Sequence, residues 1–339
     1  MAITIYGAGA IGGLTGAYLA RAGEDVLMVD KVVEHVHAMN RRGLKITGAA
    51  EFTVPIRACL PEELRGPLGL VFLAVKSQDT DAALDVIAPQ VGPDTILVSL
   101  QNGMNPPRIA ARIGSDKVVA AFVNFGADWH GPGHIEHGGP GGFYLGEIDG
   151  SLTDRIDRLQ RLLSNVHSVH VTDNIFGYLW AKQIDCSLLF AQAVTDETMA
   201  DVFSNKRFQP LLIALLGEGV MAARAAGVRL ESFDTFEPLK MQPSNEDEMA
   251  AARAVLDRFA DRCRSRVKVR SGPWRDLAVR RRPTEIDHLV GWVISEGKKR
   301  GIAMPLNEHL VAQVKEIEQG KRRRGLHNLE DLEHLRKVN

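Results

Sequence analysis

Along its first 150 residues the chain alternates short apolar runs with segments of helical spacing. Ile3 to Tyr6 is a β-prone run, Gly12 to Ala22 carries small apolar residues at helical spacing, and Asp25 to Val29 is apolar again. Strand, helix and strand in that order predict a βαβ unit. Further runs at Leu70 to Val75, Thr95 to Ser99 and Lys117 to Val123 are continuous rather than alternating. Strands covered by helices on both faces read this way, so the pattern predicts an α/β fold built on a doubly wound parallel sheet. The glycine-rich stretch GPGHIEHGGPGGFYLGEIDG then predicts a hairpin, His134 to His137 with Phe143 to Leu145, closing the sheet. His130, His134 and His137 are spaced as a strand pair with polar faces would space them, which argues against a metal site.

Past Thr172 the texture changes. Segments 174–195, 207–227, 246–265 and 285–300 have helical spacing and few β-branched runs, so the second half is expected to be all-α. The expected boundary separates residues 1–172 from 173–339, with Thr172 or Asp173 capping the first helix of the second domain.

Composition narrows the function classes. With 339 residues, 45% apolar and 24% charged, the chain is an ordinary globular sequence of about two domains. A net charge of −1 gives no global positive field for nucleic acid or an acidic membrane surface. The basic run Lys321 to Arg324 is read as a solvated helix end and assigned no partner. Cys59, Cys186 and Cys263 are odd in number and far apart, which speaks against a disulfide framework and for a reducing, cytoplasmic setting. The start, MAITIYGAGAIGG, lacks the basic and apolar regions of an export signal, and no stretch has the length of an apolar membrane span. A small-molecule substrate is the partner that remains, and apolar C-terminal helices suggest a homodimer.

Gly7, Gly9 and Gly12 form G-x-G-x-x-G between the first strand and the first helix. The first glycine permits the tight turn, the second lets backbone approach a pyrophosphate, and the third packs helix on strand. Asp30 ends the next strand, where an acid accepts hydrogen bonds from a ribose 2′-hydroxyl and repels a 2′-phosphate; this favours NAD, and Lys31 beside it keeps NADP as the alternative. AVKSQDT (Ala74 to Thr80) and LQNG (Leu100 to Gly103) each follow an apolar run, at strand ends where ligands collect. Lys76 and Asn102 are candidate cofactor contacts there, although for each residue alone a surface lysine and a turn Asn-Gly are the commoner explanations. Lys182 and Asp185 are the only charges in the apolar segment FGYLWAKQIDCSLLFAQAV, where partial desolvation makes a lysine a usable proton donor or acceptor. Simple pairing with Asp185 accounts for it about equally well. Glu285 follows Thr284, a candidate N-cap, with Asp287 completing a capping-box-like pair and Gly301 placed to end the helix.

In this order the motifs resemble the ketopantoate reductase (2-dehydropantoate 2-reductase) family: GAGAIGG, AVKSQDT, LQNG, a lysine on the first C-terminal helix, and RPTEID followed by GIAMPLN. The resemblance implies a Rossmann domain plus a helical domain, and cofactor contacts from Gly7, Ala8, Gly9, Ala10, Ile11, Gly12, Lys76, Asn102 and Ala127. It implies Lys182 as general acid or base with Glu285 as its partner. The chain departs from the family in its substrate positions. Asparagines expected four and eight residues after the lysine are Cys186 and Phe190, a third is replaced near Ala200, and a serine is expected near Ser271 or Gly272 in SGPWRDL. Substrate contacts would then come from Asn102, Lys182, Cys186, Phe190 and Trp274, a more apolar pocket that suggests another small oxo acid, ketone or alcohol. True ketopantoate reduction with NADPH, an imine-forming dehydrogenase on a similar plan, and a dinucleotide-binding sensor without turnover are the rivals.

Overall fold

The computed structural model describes residues 2–264 and 268–338. They divide into two compact units, Met1–Ile175 and Phe176–Asn339.

The first unit is a twelve-strand α/β structure: β1 Ile3–Tyr6, β2 Val26–Val29, β3 Leu44–Gly48, β4 Phe52–Val54, β5 Arg57–Cys59, β6 Leu68–Leu73, β7 Val91–Ser99, β8 Val118–Val123, β9 Ala127–Gly131, β10 His134–His137, β11 Gly142–Glu147 and β12 Ser168–Val171. Its helices are α1 Ala10–Arg21, α2 Val33–Arg42, α3 Thr80–Ile87, α4 Pro106–Ile113 and α5 Asp154–Leu163. The large sheet has the order β12-β11-β8-β7-β6-β1-β2-β5. From β5 to β8 every pairing is parallel, and β11 then runs antiparallel to β8. Successive residues of one strand point to opposite faces, and both faces are buried: Ile3 and Ile5 enter one core with Leu70, Phe72 and Val98, while Tyr6 enters the other with Val71, Leu73 and Leu97. Two cores, one on each side, are why the strand sequences read as unbroken apolar runs.

The expected closing hairpin does not form. His134–His137 pairs antiparallel with β9 and parallel with β3 in a separate four-stranded sheet, whereas Gly142–Glu147 joins the large sheet beside β8. The glycines after His137 let the chain leave one sheet for the other: Gly138 lies so close to the Gly126 backbone that a Cβ would meet its carbonyl at 2.9 Å. The histidines find separate partners. His130 Nε2 lies 2.9 Å from a Glu136 carboxylate oxygen, His134 bonds Thr47, and His137 bonds Tyr18 and His167.

The second unit is helical: α6 Ile175–Ala193, α7 Met199–Ser204, α8 Gln209–Ala225, α9 Glu246–Arg264, the short α10 Gly272–Arg275, α11 Val290–Lys298, α12 Pro305–Glu318 and α13 His327–Val338. Ser265, the last residue expected in the third helical segment, lies outside the described residues. At the entry to α6 the Thr172 hydroxyl accepts the Asn174 N–H at 2.9 Å. Glu285 does not begin an α-helix. Residues Ile286–His288 form a single 3-10 turn, the backbone breaks at Leu289, and α11 starts at Val290. Thr284 donates its hydroxyl and its N–H to Glu318 at 2.7 and 2.8 Å, and Asp287 pairs with Lys315 at 2.7 Å. Asp287 is therefore tied to α12, while the Thr284 hydroxyl, donating to Glu318, still accepts the Ile286 N–H at 3.3 Å and so caps only the 3-10 turn.

The GIAMPLN segment has a structural explanation. Pro305 opens α12, and buried Glu218 of α8 accepts the Leu306 and Asn307 N–H groups at 2.9 and 3.0 Å, capping that helix from another element. Burial pushes the Glu218 carboxyl up despite these bonds.

Candidate functional site

The crevice of an open parallel sheet lies where strand order reverses, here between β1 and β6. Gly7 leaves β1 at φ +98 and packs against the next loop so closely that a Cβ would sit 2.7 Å from the Val75 amide nitrogen. At Gly12 a Cβ would collide with the Gly7 carbonyl. Gly9 is different: nothing lies within 4 Å of where its Cβ would be. It is also the N-cap of α1, which no side chain caps. An open cradle at an uncapped helix start presents free N–H groups to an anion, so these residues fit a dinucleotide pyrophosphate. His35 of α2 holds the loop from behind. It is 1% exposed, its Nδ1 accepts the Gly133 N–H at 2.8 Å, and its Nε2–H therefore donates to the Ala8 carbonyl, also at 2.8 Å. Sequence reasoning missed His35 because no spacing marks it.

The two following loops are tied together by side chains. Ser77 donates to the Asn102 carbonyl at 2.6 Å, Asn105 donates to the same carbonyl at 2.8 Å and to Ser77 at 2.9 Å, and Gln101 donates to Thr80 at 2.8 Å and to the Val75 carbonyl at 3.0 Å. These buried amides and hydroxyls set the backbone on which half-buried Lys76 and exposed Asn102 sit. Ser77, Thr80 and Gln101 stand inside the motifs already noted, so the signal was present but lacked a role. Ala127, at the start of β9, is 6% exposed.

At the end of β2 the Asp30 carboxylate accepts the Val32 N–H at 2.9 Å, and Lys31 turns to Asp79 at 3.2 Å. The Tyr6 hydroxyl is pushed up to about 12, first by burial and then by Cys59, Glu62 and Asp30, so acid charge surrounds this strand end.

On α6 the Lys182 ammonium meets an Asp185 carboxylate oxygen at 2.9 Å, with side-chain exposures of 14% and 1%. The ammonium also lies over the Phe233 ring, 5.7 Å from its centroid. The second Asp185 oxygen, Oδ1, is buried and accepts no hydrogen bond among the described residues. Burial pushes the Cys186 thiol up to about 12; Lys182 lowers it, and Asp185 and Glu285 raise it. Glu285 is thus within electrostatic reach of this cluster, and Asp185 is in direct contact with the lysine.

The other expected substrate residues are placed less favourably. Phe190 is 0% exposed and Cys186 2%, because α6 is apolar on nearly all sides and packs all round; neither offers surface to a ligand. Trp274 belongs to the other end of the helix. Ser271, the N-cap of α10, bonds Leu189 and Gln192, seven and more residues along α6 from Lys182, a rise of about 10 Å or more. The indole there stacks against Arg270 at 4.6 Å and Arg324 at 5.7 Å. Ala200 is buried in α7.

Hydride chemistry on a carbonyl or alcohol needs a dinucleotide held by backbone at a sheet's switch point, and the glycine loop supplies that; the class is an NAD(P)-dependent oxidoreductase. Family models place it further. Residues 3–150 match "Ketopantoate reductase PanE/ApbA" and 174–318 match its C-terminal counterpart, so the chain belongs to the ketopantoate reductase family. Among curated relatives, a 2-dehydropantoate 2-reductase of Mesorhizobium japonicum is 30% identical over 68% of this chain and 78% of its own. One of Pyrococcus horikoshii is 28% identical over 93% and 97%. A solved ketopantoate reductase of Ralstonia eutropha superposes with TM-score 0.79 at 28% identity, covering 95% of this chain and 99% of the other. D-mandelate dehydrogenase, solved with NADH and anilino(oxo)acetate, has the same fold at TM-score 0.80 and 22% identity, with coverages of 95% and 99%. No helix among the described residues is long and apolar enough to cross a membrane.

Proposed function

We propose that the chain interconverts a small 2-oxo acid or ketone and the matching hydroxy compound with NAD(H), Lys182 moving the proton. The observation that carries this reading is the Lys182–Asp185 pair, a nearly buried ammonium held at 2.9 Å by a buried carboxylate on an otherwise apolar helix. A bound nicotinamide supplies or accepts the hydride. Lys182 as ammonium protonates the developing alkoxide and stabilises its charge; as a neutral amine it takes the proton in the reverse direction. Asp185 keeps the ammonium charged and aimed, and Glu285 adds negative charge nearby.

Gly7 to Gly12 would hold the pyrophosphate, and Lys76 and Asn102 the ribose and nicotinamide side. Asp30 would bind the adenosine ribose. NAD is favoured over NADP because Asp30 and Glu62 make that strand end acidic and Asp79 draws Lys31 away, although this exposed pair is screened. D-mandelate dehydrogenase is a precedent on this fold for NADH with a substituted oxoacetate. Asn102 and Lys182 are the substrate contacts retained; Cys186, Phe190 and Trp274 would shape the pocket only from behind or after movement. A cytoplasmic homodimer is the assembly this reading expects, and Met221 of α8, at 40% exposure, is an apolar residue left uncovered for it.

Reduction of ketopantoate with NADPH is the second reading, favoured by the names of the curated relatives. Titration with NADH and NADPH, followed by turnover of ketopantoate and of aryl and alkyl 2-oxo acids, separates the two. Lys182→Ala is expected to cut turnover by roughly 10² to 10⁴. A near-unchanged rate removes Lys182 from the mechanism.

A further inference from the structure

The sequence carries two basic runs far apart, Arg280 to Arg282 and Lys321 to Arg324. The fold of the second unit brings them to one concavity. A cavity of about 500 Å³ is lined by Arg281, Arg282, Arg322, Arg323 and Arg324, with Asp196 and Glu318 as the acids among the described residues of its lining.

Acids neutralise only part of it. Asp196 is taken by Arg324 at 3.0 Å, and Glu318 accepts Thr284 at 2.7 Å and Lys315 at 3.0 Å. Arg282 is matched by Asp276 at 2.9 Å, and Arg322 by Glu316 at 2.5 Å and Asp331 at 2.9 Å, all from outside the lining. Arg281 and Arg323 have no acidic partner among the described residues. Arg281 moreover sits in the left-handed region, at φ +48 and ψ +51, which sends its side chain off the course of its neighbours. Like charges gathered round one hollow repel each other unless something between them is negative. Guanidinium forks match phosphate oxygens two at a time, and the cavity has the volume of a small-molecule site rather than of a nucleic-acid groove.

We propose that this cavity is a binding site for a small phosphate-bearing anion, with Arg281 and Arg323 as its principal ligands. None of Lys182, Asp185, Cys186 and Glu285 lines it, so it is distinct from the proton-transfer cluster. It stands whatever the substrate of the enzyme is. The segment from Arg281 to Glu285 and the Thr284–Glu318 bonds nonetheless connect its wall to the residue expected to assist Lys182.

The test is calorimetric titration of the full chain with inorganic pyrophosphate, with NADH present so that the glycine loop is already filled. One site is expected. The Arg281→Ala/Arg323→Ala variant is expected to weaken it by about tenfold or more. Removing two exposed arginines of α5, Arg158→Ala/Arg161→Ala, is expected to change it by less than about twofold. Arg281→Gly/Arg323→Gln, which relieves the left-handed backbone, serves as a second variant and is expected to lose binding equally. Absence of a pyrophosphate site in the wild-type chain, equal loss in the α5 variant, or citrate binding more tightly than pyrophosphate each overturns the proposal.

Discussion

If Lys182 moves the proton as proposed, Asp185 is the residue expected to set its charge state. An anion at 2.9 Å stabilises the ammonium and raises the pH at which its proton leaves, whereas burial of the lysine works the other way. Replacing the carboxylate by an amide removes the first effect and leaves the second. Asp185→Asn is therefore expected to move the alkaline limb of the kcat/KM profile for carbonyl reduction downward by about one pH unit or more, and Asp185→Glu to restore part of it. A profile that stays in place assigns the charge-holding role to Glu285 instead. Lys182 and Asp185 were legible in the sequence because they are the only charges in an apolar helix. His35 was not, since its partners Ala8 and Gly133 lie 27 and 98 positions away and only the tertiary structure shows that one imidazole joins them.

At the scale of elements, the glycine loop separates folding from binding within six residues. A Cβ on Gly12 would strike the Gly7 carbonyl, while a Cβ on Gly9 would meet only the open cradle above α1. Gly12→Ala is accordingly expected to lower the melting temperature by several degrees, an overpacking cost of about 1–3 kcal/mol. Gly9→Ala is expected to leave melting unchanged and weaken NADH binding by about tenfold, read by calorimetry on the same preparations. Equal melting losses in both would mean that Gly9 serves the turn alone. The parallel strands were readable because two-sided burial writes itself as continuous apolar runs. The small sheet was misassigned, since β10 and β11 are near in sequence, both β-prone and separated by glycines, and nothing local says that they belong to different sheets. The start of α11 was misplaced for a similar reason: Thr284 and Asp287 have capping chemistry, but Lys315 of α12 takes Asp287, and Thr284, shared with Glu318, caps only the 3-10 turn before Leu289.

At the scale of the molecule, stability against acid is expected to depend on two imidazoles: His137, which sequence reading treated as strand polarity, and His167, which it did not single out. In the first unit Tyr18 of α1 bonds His137 of β10 at 3.0 Å, and His137 meets His167 between α5 and β12 at 3.0 Å. Such a bond needs a lone pair on one of the two facing nitrogens, so it is lost when both rings are protonated. Burial, and then His137, pushes the His167 ring down to about 4, and burial lowers His137 as well. Between the ordinary imidazole value near 6.5 and about 4, the unfolded chain therefore binds protons that the native unit refuses. Stability rises with pH across that window, and as pH falls through it the native state loses ground until His167 is itself protonated. His167→Phe keeps the stacking on Phe125, whose ring centroid lies 4.4 Å away, and removes the titration. Between pH 7 and pH 4.5 this variant is expected to lose less stability than the wild type, by on the order of 1 kcal/mol once the partial exposure of the ring is discounted. Hydrogen exchange of the α1 and β10 amides reads the first unit alone, so unfolding of the helical unit does not enter the comparison. Parallel losses in the two proteins would show that carboxylates, and not this histidine pair, govern the acid limit of the first unit.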